Sequence, residues 1–212
     1  MQNIFDIYLA INFITDKVRN GYCTPPDVSI ALDLGQQQLH DEYLNWLGRD
    51  QNMTNSLQPF IKTVSVTSDI NGFIPLPEDF AGMPDSALMD DLYRSFTTIN
   101  NNEVRHAVSS FLIPITEYPR YLKTDNGLQL YPREQTALDF RYVKKPVSPL
   151  IGYSVVGNEI VYDPNTSVQL GFDSNEYLKV MMKALPYLGV NLSDSDVVGL
   201  AAQYNSSTQV PA

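Results

Sequence analysis

The sequence predicts an α+β protein with an N-terminal helical hairpin, a central antiparallel β region and C-terminal helices. Near both ends of the chain, apolar residues recur every three or four positions, which is the period of an amphipathic helix. Between these ends, short runs alternate apolar and polar residues and are separated by Asn-Gly turn signals, as in antiparallel strands. Because helices and strands come in separate blocks, the pattern favours an α+β fold over alternating βαβ units.

The predicted regions are a helical hairpin at 1–48, a mainly β region with one short helix at 58–165, helices at 173–204 and a flexible tail at 205–212. No internal repeat and no sharp change of composition marks a linker. We therefore predict that 1–212 forms a single domain, which is long enough to bury a sizeable core without disulfides.

The first predicted helix, at about residues 2–19, is apolar on two faces. One stripe has helical spacing and is expected to face the core: Ile4, Ile7, Ile11, Ile14 and Val18. Phe5, Leu9 and Phe13 fall four residues apart on a largely different face. A helix with two apolar faces needs two covers. Either this helix lies centrally in its own fold, or Phe5, Leu9 and Phe13 form a candidate subunit interface.

The second predicted helix begins at the stretch TPPD. Thr24 suits the N-cap, Pro25 suits the first helical position, and Asp27 has the position of a capping-box acid. An apolar stripe follows and ends near Gly48: Val28, Leu32, Leu39, Tyr43 and Trp46 or Leu47. Gly35 lies on this stripe at a cost of roughly 1 kcal/mol of helix propensity, and it predicts a facing helix that approaches closely. The short link GYC predicts that the two helices are antiparallel neighbours.

The middle of the chain has the pattern of strands and turns. The stretch FIKTVSVT (60–67) alternates and is rich in β-branched residues. DING (69–72) supplies an Asn-Gly turn signal before the extended, proline-bounded stretch FIPLP, and DNG (125–127) is a hairpin signal between alternating runs. A short helix is predicted at 102–111, and a last pair of extended runs flanks Gly157.

The last third is predicted to be helical again. Asp173 and Glu176 have capping-box spacing, Pro186 is expected to end or kink the helix, and Gly189 is expected to stop it. The predicted apolar face of this helix is Leu178, Met181, Met182 and Leu185. The stretch SDSD (193–196) then predicts the start of a final short helix.

Composition limits the classes of function. With 24 acidic and 14 basic residues, the formal net charge of −10 argues against binding nucleic acid by neutralising phosphates. Cys23 is the single cysteine, which excludes an intrachain disulfide and a cysteine-rich zinc site. The first 20 residues lack the features of a signal peptide, and their apolar runs are too short to span a bilayer. These features indicate a soluble protein from a reducing compartment.

Few residues suggest chemistry. The only imidazoles, His40 and His106, have no catalytic motif around them, and Cys23 lies in a helix–helix link. The acidic run at 194–196 is explained by helix capping, while DPNTS (163–167) lacks the glycine and closing glutamate of a calcium loop. No nucleotide-binding glycine motif occurs. We therefore predict a protein that is not an enzyme and has no cofactor and no metal site.

Four stretches give the chain a resemblance to a known family. They are NGYCTPPDVSIALDLGQQQLHDEYLN (20–45), FIPLPEDF (73–80), LQLYPREQTALDFRYVKKP (128–146) and LGVNLSDSDVVGLAAQY (188–204). In this order they resemble the head-to-tail connector proteins of short-tailed, crAss-like bacteriophages of Bacteroides, which are adaptor or neck-ring subunits. The resemblance covers about half of the chain, and each stretch alone is weakly specific.

The resemblance implies a single connector domain that assembles with itself into a cyclic ring, typically twelvefold, below the portal protein. It also implies contacts with neighbouring tail or ring proteins, and a central channel through which DNA passes without specific binding. Such a protein is made in the bacterial host cytoplasm, resides in the neck or tail of the virion and has no membrane partner. An acidic chain suits a channel to which DNA should not adhere.

Two other functions fit parts of the sequence. One is an accessory binding module of the same virion that contacts carbohydrate or host, because 13 tyrosines and one tryptophan offer stacking surfaces. The other is a hydrolase with dispersed carboxylates, which predicts acids that converge in a cleft with perturbed pKa values. A ring-sized species favours the connector, and specific glycan binding favours the accessory module.

Overall fold

The computed structural model of the chain describes residues 3–19, 21–84, 87–90, 94–109, 117–134, 136–157 and 159–190. Its helices are α1 (Ile4–Arg19), α2 (Pro25–Asn45), α3 (Gln51–Ser56), α4 (Val104–Ser109) and α5 (Tyr177–Ala184). Single turns of 3₁₀ helix lie at Gln58–Phe60, Asn101–Glu103, Ser174–Glu176 and Leu185–Leu188. The predicted final helix at 193–204 and the predicted flexible tail at 205–212 lie outside the described residues.

The strands lie between α3 and α5, interrupted by α4. They are β1 (Ile61–Thr67), β2 (Phe73–Pro75), β3 (Phe80–Gly82), β4 (Leu88–Asp90), β5 (Thr97–Thr98), β6 (Arg120–Lys123), β7 (Gly127–Tyr131), β8 (Ala137–Lys144), β9 (Tyr153–Val156) and β10 (Glu159–Tyr162). Helices, then sheets, then a helix follow one another along the chain, which confirms the predicted α+β class.

The chain divides into two compact units. Residues 1–42 and 146–212 form the first, which we call the terminal unit, and residues 43–145 form the second, the central unit. The central unit is therefore a continuous stretch, while the terminal unit is assembled from both ends of the sequence. This division is finer than the predicted single domain, which stays a prediction.

In the terminal unit, local signals set where the first two helices begin. Asn3 accepts a hydrogen bond from the Asp6 amide at 2.9 Å, which caps α1. The hydroxyl of Thr24 accepts from the Asp27 amide at 3.4 Å and also donates to the Asp27 carboxylate, as predicted for the start of α2. Between the helices, the Cys23 amide donates to the Asn12 side chain at 2.9 Å, so the chain turns back along α1. Antiparallel packing of the two helices stays a prediction.

The close approach predicted from Gly35 is present, and its partner is α5. A Cβ atom on Gly35 would lie 2.8 Å from the Val180 carbonyl oxygen and 2.9 Å from the Ala184 amide nitrogen. Real Cβ atoms essentially never lie so close to backbone atoms, so only glycine fits at this point of α2. Ala184 contributes the small side chain that allows the approach from the α5 side.

The apolar face predicted for α5 is partly wrong. Met181 and Leu185 are buried as predicted, but Leu178 is 50% exposed, and the buried face includes Val180 and Ala184 instead. Two residues correspond to about 200° around a helix, so Leu178 and Val180 point in opposite directions. The contact with Gly35 decides the orientation, since Val180 and Ala184 must face α2.

The capping box predicted at the start of this helix is also absent. Asp173 precedes the 3₁₀ turn without a side-chain capping bond, and Glu176 is buried and pairs with Lys179 at 3.0 Å. The Glu176 carboxylate therefore forms an ion pair with Lys179, three residues along the helix, whereas a capping box would place it against a backbone amide. The predicted stop is correct, because Gly189 has a left-handed backbone with φ of 74°.

A single buried glutamine ties the two sequence segments of the terminal unit together. Gln36 on α2 is fully buried; its amide nitrogen donates to the Val147 carbonyl at 3.0 Å, and its oxygen accepts from the Gly171 amide at 2.7 Å. Both ends of the side chain amide are therefore satisfied by backbone groups more than 100 residues away. A buried polar side chain is tolerated when it is satisfied in this way.

Gln36→Leu is expected to lower the free energy of unfolding by about 1 kcal/mol, because it removes two partly buried hydrogen bonds, to the Val147 carbonyl and the Gly171 amide. Urea denaturation measures this loss. The matched control is Gln38→Leu, which makes the same substitution at an exposed position two residues along α2. Equal stability of the two variants would contradict the role assigned to Gln36.

The central unit contains two four-stranded sheets. In one, β8 pairs antiparallel with β1, β3 and β4; in the other the order is β2-β7-β6-β5. The predicted antiparallel arrangement holds for these strands except β5, which pairs parallel with β6. One continuous core underlies both sheets: Ile74, Ala87, Leu88, Phe96, Tyr121, Leu128, Leu130, Leu138, Phe140 and Tyr142.

Both predicted turns of the central unit form, but only the second joins the strands of a hairpin, because β1 and β2 belong to different sheets. In the first, the Gly72 amide donates to the Asp69 carbonyl at 2.9 Å, and Gly72 has φ of 74°, a conformation that favours glycine. In the second, the Thr124 amide donates to the Gly127 carbonyl at 2.9 Å and joins β6 to β7. The predicted short helix corresponds to α4 and the 3₁₀ turn before it.

Candidate subunit interface

Helix α1 carries a row of residues that points away from the core. Leu9 is 52% exposed and Phe13 is 60% exposed, whereas the predicted inner stripe of Ile4, Ile7, Ile11 and Ile14 is buried. Asp6 and Asp16 continue the outer row at positions three residues before Leu9 and three residues after Phe13. We call Asp6, Leu9, Phe13 and Asp16 the α1 stripe.

Phe5, the third predicted interface residue, has a different environment. Its ring stacks on Tyr162 of β10 at a centroid distance of 4.7 Å and on Tyr8 at 5.6 Å. The Tyr8 hydroxyl in turn contacts the Tyr22 hydroxyl, and burial together with that contact raises the pKa of Tyr8. The structure therefore brings Leu9 and Phe13 to one exposed face and places Phe5, half-buried, in an aromatic cluster.

Contacts from the other end of the sequence hold α1 in place. The Ile4 amide donates to the Gln169 side chain at 2.8 Å, although the two residues are 165 positions apart. The Thr15 hydroxyl donates to the Ile11 carbonyl at 2.7 Å on the buried side. The bond to Gln169 ties the start of α1 to the second sequence segment of the terminal unit, whereas the Thr15 bond lies within the helix. Leu9 and Phe13 stay more than half exposed.

The β9–β10 hairpin is a second exposed apolar surface, which the sequence did not reveal. Its two strands form a separate two-stranded sheet within the described part of the chain, turning at Gly157 with φ of 67°. Four of its large side chains are exposed: Tyr153, Val155, Val156 and Val161. A two-stranded sheet is marginally stable alone, and its outer edges present backbone groups that can pair with another chain.

Exposed apolar side chains are concentrated in the terminal unit. Among the described residues, fourteen of the eighteen large hydrophobic side chains that are exposed belong to it, and four belong to the central unit. Single exposed hydrophobic residues are normal on a protein surface, whereas large contiguous apolar patches are typical of interaction sites.

The net negative charge is concentrated in the same unit as the exposed apolar side chains. The central unit carries ten of the 14 basic and twelve of the 24 acidic residues, a net charge of −2. The terminal unit carries the remaining four basic and twelve acidic residues, a net charge of −8. The unit that exposes most apolar surface is therefore also the strongly acidic one.

The central unit has an open depression of about 440 Å³ beside β5 and β6. Its lining residues are Arg94, Ser95, Thr97, Glu117, Tyr118, Pro119 and Arg120. Arg94 is held by Asp90, with its Nε and one terminal nitrogen each 2.7 Å from the carboxylate. The Tyr118 side chain is 59% exposed. The depression therefore combines two arginines and one acid with an accessible aromatic ring.

The residues considered for catalysis lie on different elements of the fold. His40 is buried on α2 with Nδ1 3.7 Å from Asp41, His106 is exposed on α4, and the Cys23 thiol is half-buried 3.9 Å from Thr15. Within the described ranges no group of three or more metal-ligating side chains occurs. No described helix is long and apolar enough to cross a membrane.

The clearest pKa shift of a carboxylate has a structural cause. Asp79 accepts a hydrogen bond from the Tyr142 hydroxyl at 2.7 Å and lies 3.4 Å from Lys62 Nζ. The Tyr142 bond, helped by Lys62, holds the pKa of Asp79 below its usual range. Burial, more than the bond to Asp79, raises the pKa of Tyr142. A carboxylate with a lowered pKa stays charged at neutral pH, which suits a structural ion pair better than a general acid.

Tyr142→Phe removes the hydrogen bond to Asp79 and is expected to lower the free energy of unfolding at pH 7 by about 1 kcal/mol. The loss is no larger because the Asp79 side chain is 41% exposed, and solvent screens the interaction. The pKa of Asp79 is lower in the folded than in the unfolded chain. Its stabilisation is therefore present above the unfolded pKa and is lost as the pH falls through the folded pKa. Urea titrations at pH 7 and in acid should show the difference from wild type shrinking in acid, with Tyr118→Phe as the exposed control.

Comparison with known proteins assigns no family: no protein-family model matches the chain, and no curated protein is significantly similar to it.

Proposed function

We propose that this chain is a non-enzymatic virion structural protein, a ring subunit of the head-to-tail connector of a short-tailed, crAss-like phage of Bacteroides. In this proposal it joins capsid to tail below the portal and surrounds the channel through which DNA leaves. It is made in the bacterial host cytoplasm and resides in the virion neck. The proposal begins from the four sequence stretches that resemble connector proteins.

The observation that carries the proposal is the exposed apolar surface of the terminal unit. Leu9 and Phe13 are more than half exposed on a helix that the chain itself anchors from the other side. The β9–β10 hairpin adds apolar side chains and, within the described part of the chain, pairs with no third strand. A subunit that is always surrounded by neighbours can keep such surfaces, because assembly covers them.

The net charge of −10 is compatible with a channel wall. DNA repels an acidic surface, and a chain with a net negative charge has little to gain from releasing the counterions of DNA. Such a wall lets DNA pass without specific binding.

The experiment is the mass of the purified chain in solution, alone and after mixing with the candidate portal protein. We expect a ring-sized species, or a monomer that joins the portal stoichiometrically. A monomer that does not bind the portal protein at concentrations well above micromolar would overturn the proposal.

One observation favours a second candidate, the accessory binding module. Tyr118 stands 59% exposed in the depression that Arg94, Glu117 and Arg120 also line. An aromatic face beside charged side chains is suited to stack on and hydrogen-bond a sugar. A glycan-binding screen tests this candidate, with Tyr118→Ala expected to abolish any specific signal and Tyr187→Ala, at another exposed tyrosine, expected to leave it unchanged.

A further inference from the structure

A ring of more than two copies requires two different complementary surfaces on each copy. A twofold contact uses the same patch on both partners and closes as a dimer, whereas a head-to-tail contact joins unlike patches and generates a ring. If the chain forms a connector ring, as proposed above, its surface must contain such an unlike pair.

The α1 stripe has the properties of one member of the pair. Its positions, 6, 9, 13 and 16, are three or four residues apart and share one side of the helix. The order is acid, leucine, phenylalanine, acid, so an apolar centre lies between two carboxylates. Asp16 is exposed. A complementary partner has an apolar recess with basic residues at its rim.

The depression of the central unit has these properties. Its volume of about 440 Å³ is in the range of pockets that enclose bulky groups. Tyr118 supplies the exposed apolar surface, and Arg94 and Arg120 supply positive charge. Glu117 and the Asp90 that holds Arg94 carry as many formal charges as the two arginines. Because Arg94 is already paired with Asp90, Arg120 is the position where a further carboxylate gains most.

The charge of the whole units supports the same pairing. The α1 stripe belongs to the unit with a net charge of −8, and contact between two such units brings like charges together. The central unit, with a net charge of −2 and ten of the 14 basic residues, repels the stripe least.

We propose that the ring closes head to tail: the α1 stripe of one copy docks into the arginine-rimmed depression of the central unit of the next copy. Leu9 and Phe13 fill the depression beside Tyr118, and Asp16 pairs with Arg120. The inference rests on the proposed ring and names the two surfaces that form it.

Charge exchange tests the pairing in the full-length chain. Asp16→Arg alone and Arg120→Asp alone are each expected to weaken assembly about tenfold per interface, because each places like charges together. The chain with both substitutions is expected to assemble within about threefold of wild type, because the pair is restored with reversed polarity. The matched control combines Arg120→Asp with Asp125→Arg, in the β6–β7 turn, and is expected to stay as weak as Arg120→Asp alone.

Disulfide trapping gives a readout that does not depend on the charge variants. In a Cys23→Ser background, one preparation carries Asp16→Cys and another carries Arg120→Cys. Under mild oxidation the mixture is expected to form crosslinked heterodimers, while neither preparation alone crosslinks. Crosslinks within the Asp16→Cys preparation alone would indicate a twofold contact and overturn the head-to-tail docking.

The outcomes separate the inference from the proposed function. The docking pair is overturned, and the ring is not, if the wild-type chain forms a ring and the single charge reversals do not weaken its assembly. The same holds if the double variant assembles as weakly as the single variants. Wild-type chains that neither form a ring nor join the portal overturn the proposed function, and the docking pair with it. Recovery in the double exchange together with heterodimer crosslinks establishes the contact.

Discussion

Gly35→Leu is expected to destabilise the chain by about 3 kcal/mol or more, the largest effect on folding that we predict. The Cβ atom alone would lie 2.8 Å from the Val180 carbonyl oxygen, and the neighbouring atoms belong to the backbone of α5 rather than to a flexible side chain. The two helices must separate to admit a larger residue, which opens the buried contact around Val180 and Ala184. Since domains are stable by about 5–15 kcal/mol in total, this loss is large.

A graded series makes the result informative. Gly35→Ala gains about 1 kcal/mol of helix propensity but still requires a shift of α5, so it is expected to fall between wild type and Gly35→Leu. Urea denaturation and the midpoint of thermal unfolding measure both. Gln38→Leu controls for leucine at an exposed position of the same helix. An increase in Tm for Gly35→Ala would show that the two helices do not meet at this glycine.

Replacing Leu9 and Phe13 together with aspartate is expected to have the largest effect on assembly. Apolar residues at the centre of an interface contribute about 2 kcal/mol or more each, so losing two weakens each contact by roughly 1,000-fold. Both side chains are more than half exposed in the single chain, so its unfolding free energy should change far less. Analytical ultracentrifugation measures the assembly, and circular dichroism confirms that the variant is folded.

The control for this pair is Ile70→Asp. Ile70 is 79% exposed and lies in the turn before β2, in the central unit. This substitution removes one exposed apolar side chain and adds one negative charge, half of what the double variant adds, without touching α1. If the double variant forms the same assemblies as Ile70→Asp, Leu9 and Phe13 are not at a subunit contact.

What the sequence predicts correctly is mostly local. The Thr24 cap, the glycine turns at 72 and 189 and the inner stripe of α1 depend on residues within a few positions of one another. Gly35 is an informative exception, because a glycine on the buried stripe of a helix has few explanations besides a close neighbour. The sequence does not identify that neighbour, because Val180 is 145 positions away.

The missed features depend on contacts between distant segments. The buried face of α5 is set by the approach of α2, and the amphipathic pattern of eight residues is too short to overrule it. Phe5 has the same spacing as Leu9 and Phe13, but Tyr162 from the far end of the chain lies against it.

Of the candidate interface, the sequence indicates the two exposed residues of α1 and nothing of the rest. The Gly157 turn predicts the β9–β10 hairpin, but only the sheet topology shows that these strands have no third strand within the described part of the chain. The separation of charge is present in the composition, yet it becomes visible only when residues 146–212 are grouped with residues 1–42.

That grouping has a consequence for the order in which the protein matures on the ribosome. Residues 43–145 are all synthesised before Pro146, so the β sheets of the central unit can close while the chain is still growing. Helix α1 must wait, because the contact of Ile4 with Gln169 needs the last third of the chain. The contact of Gln36 on α2 with Gly171 needs the same part of the chain. Until then both apolar faces of α1 are exposed to solvent. A nascent chain therefore has its central unit ready before α1 is set, and recruitment of the next copy through α1 is expected only after translation is nearly complete.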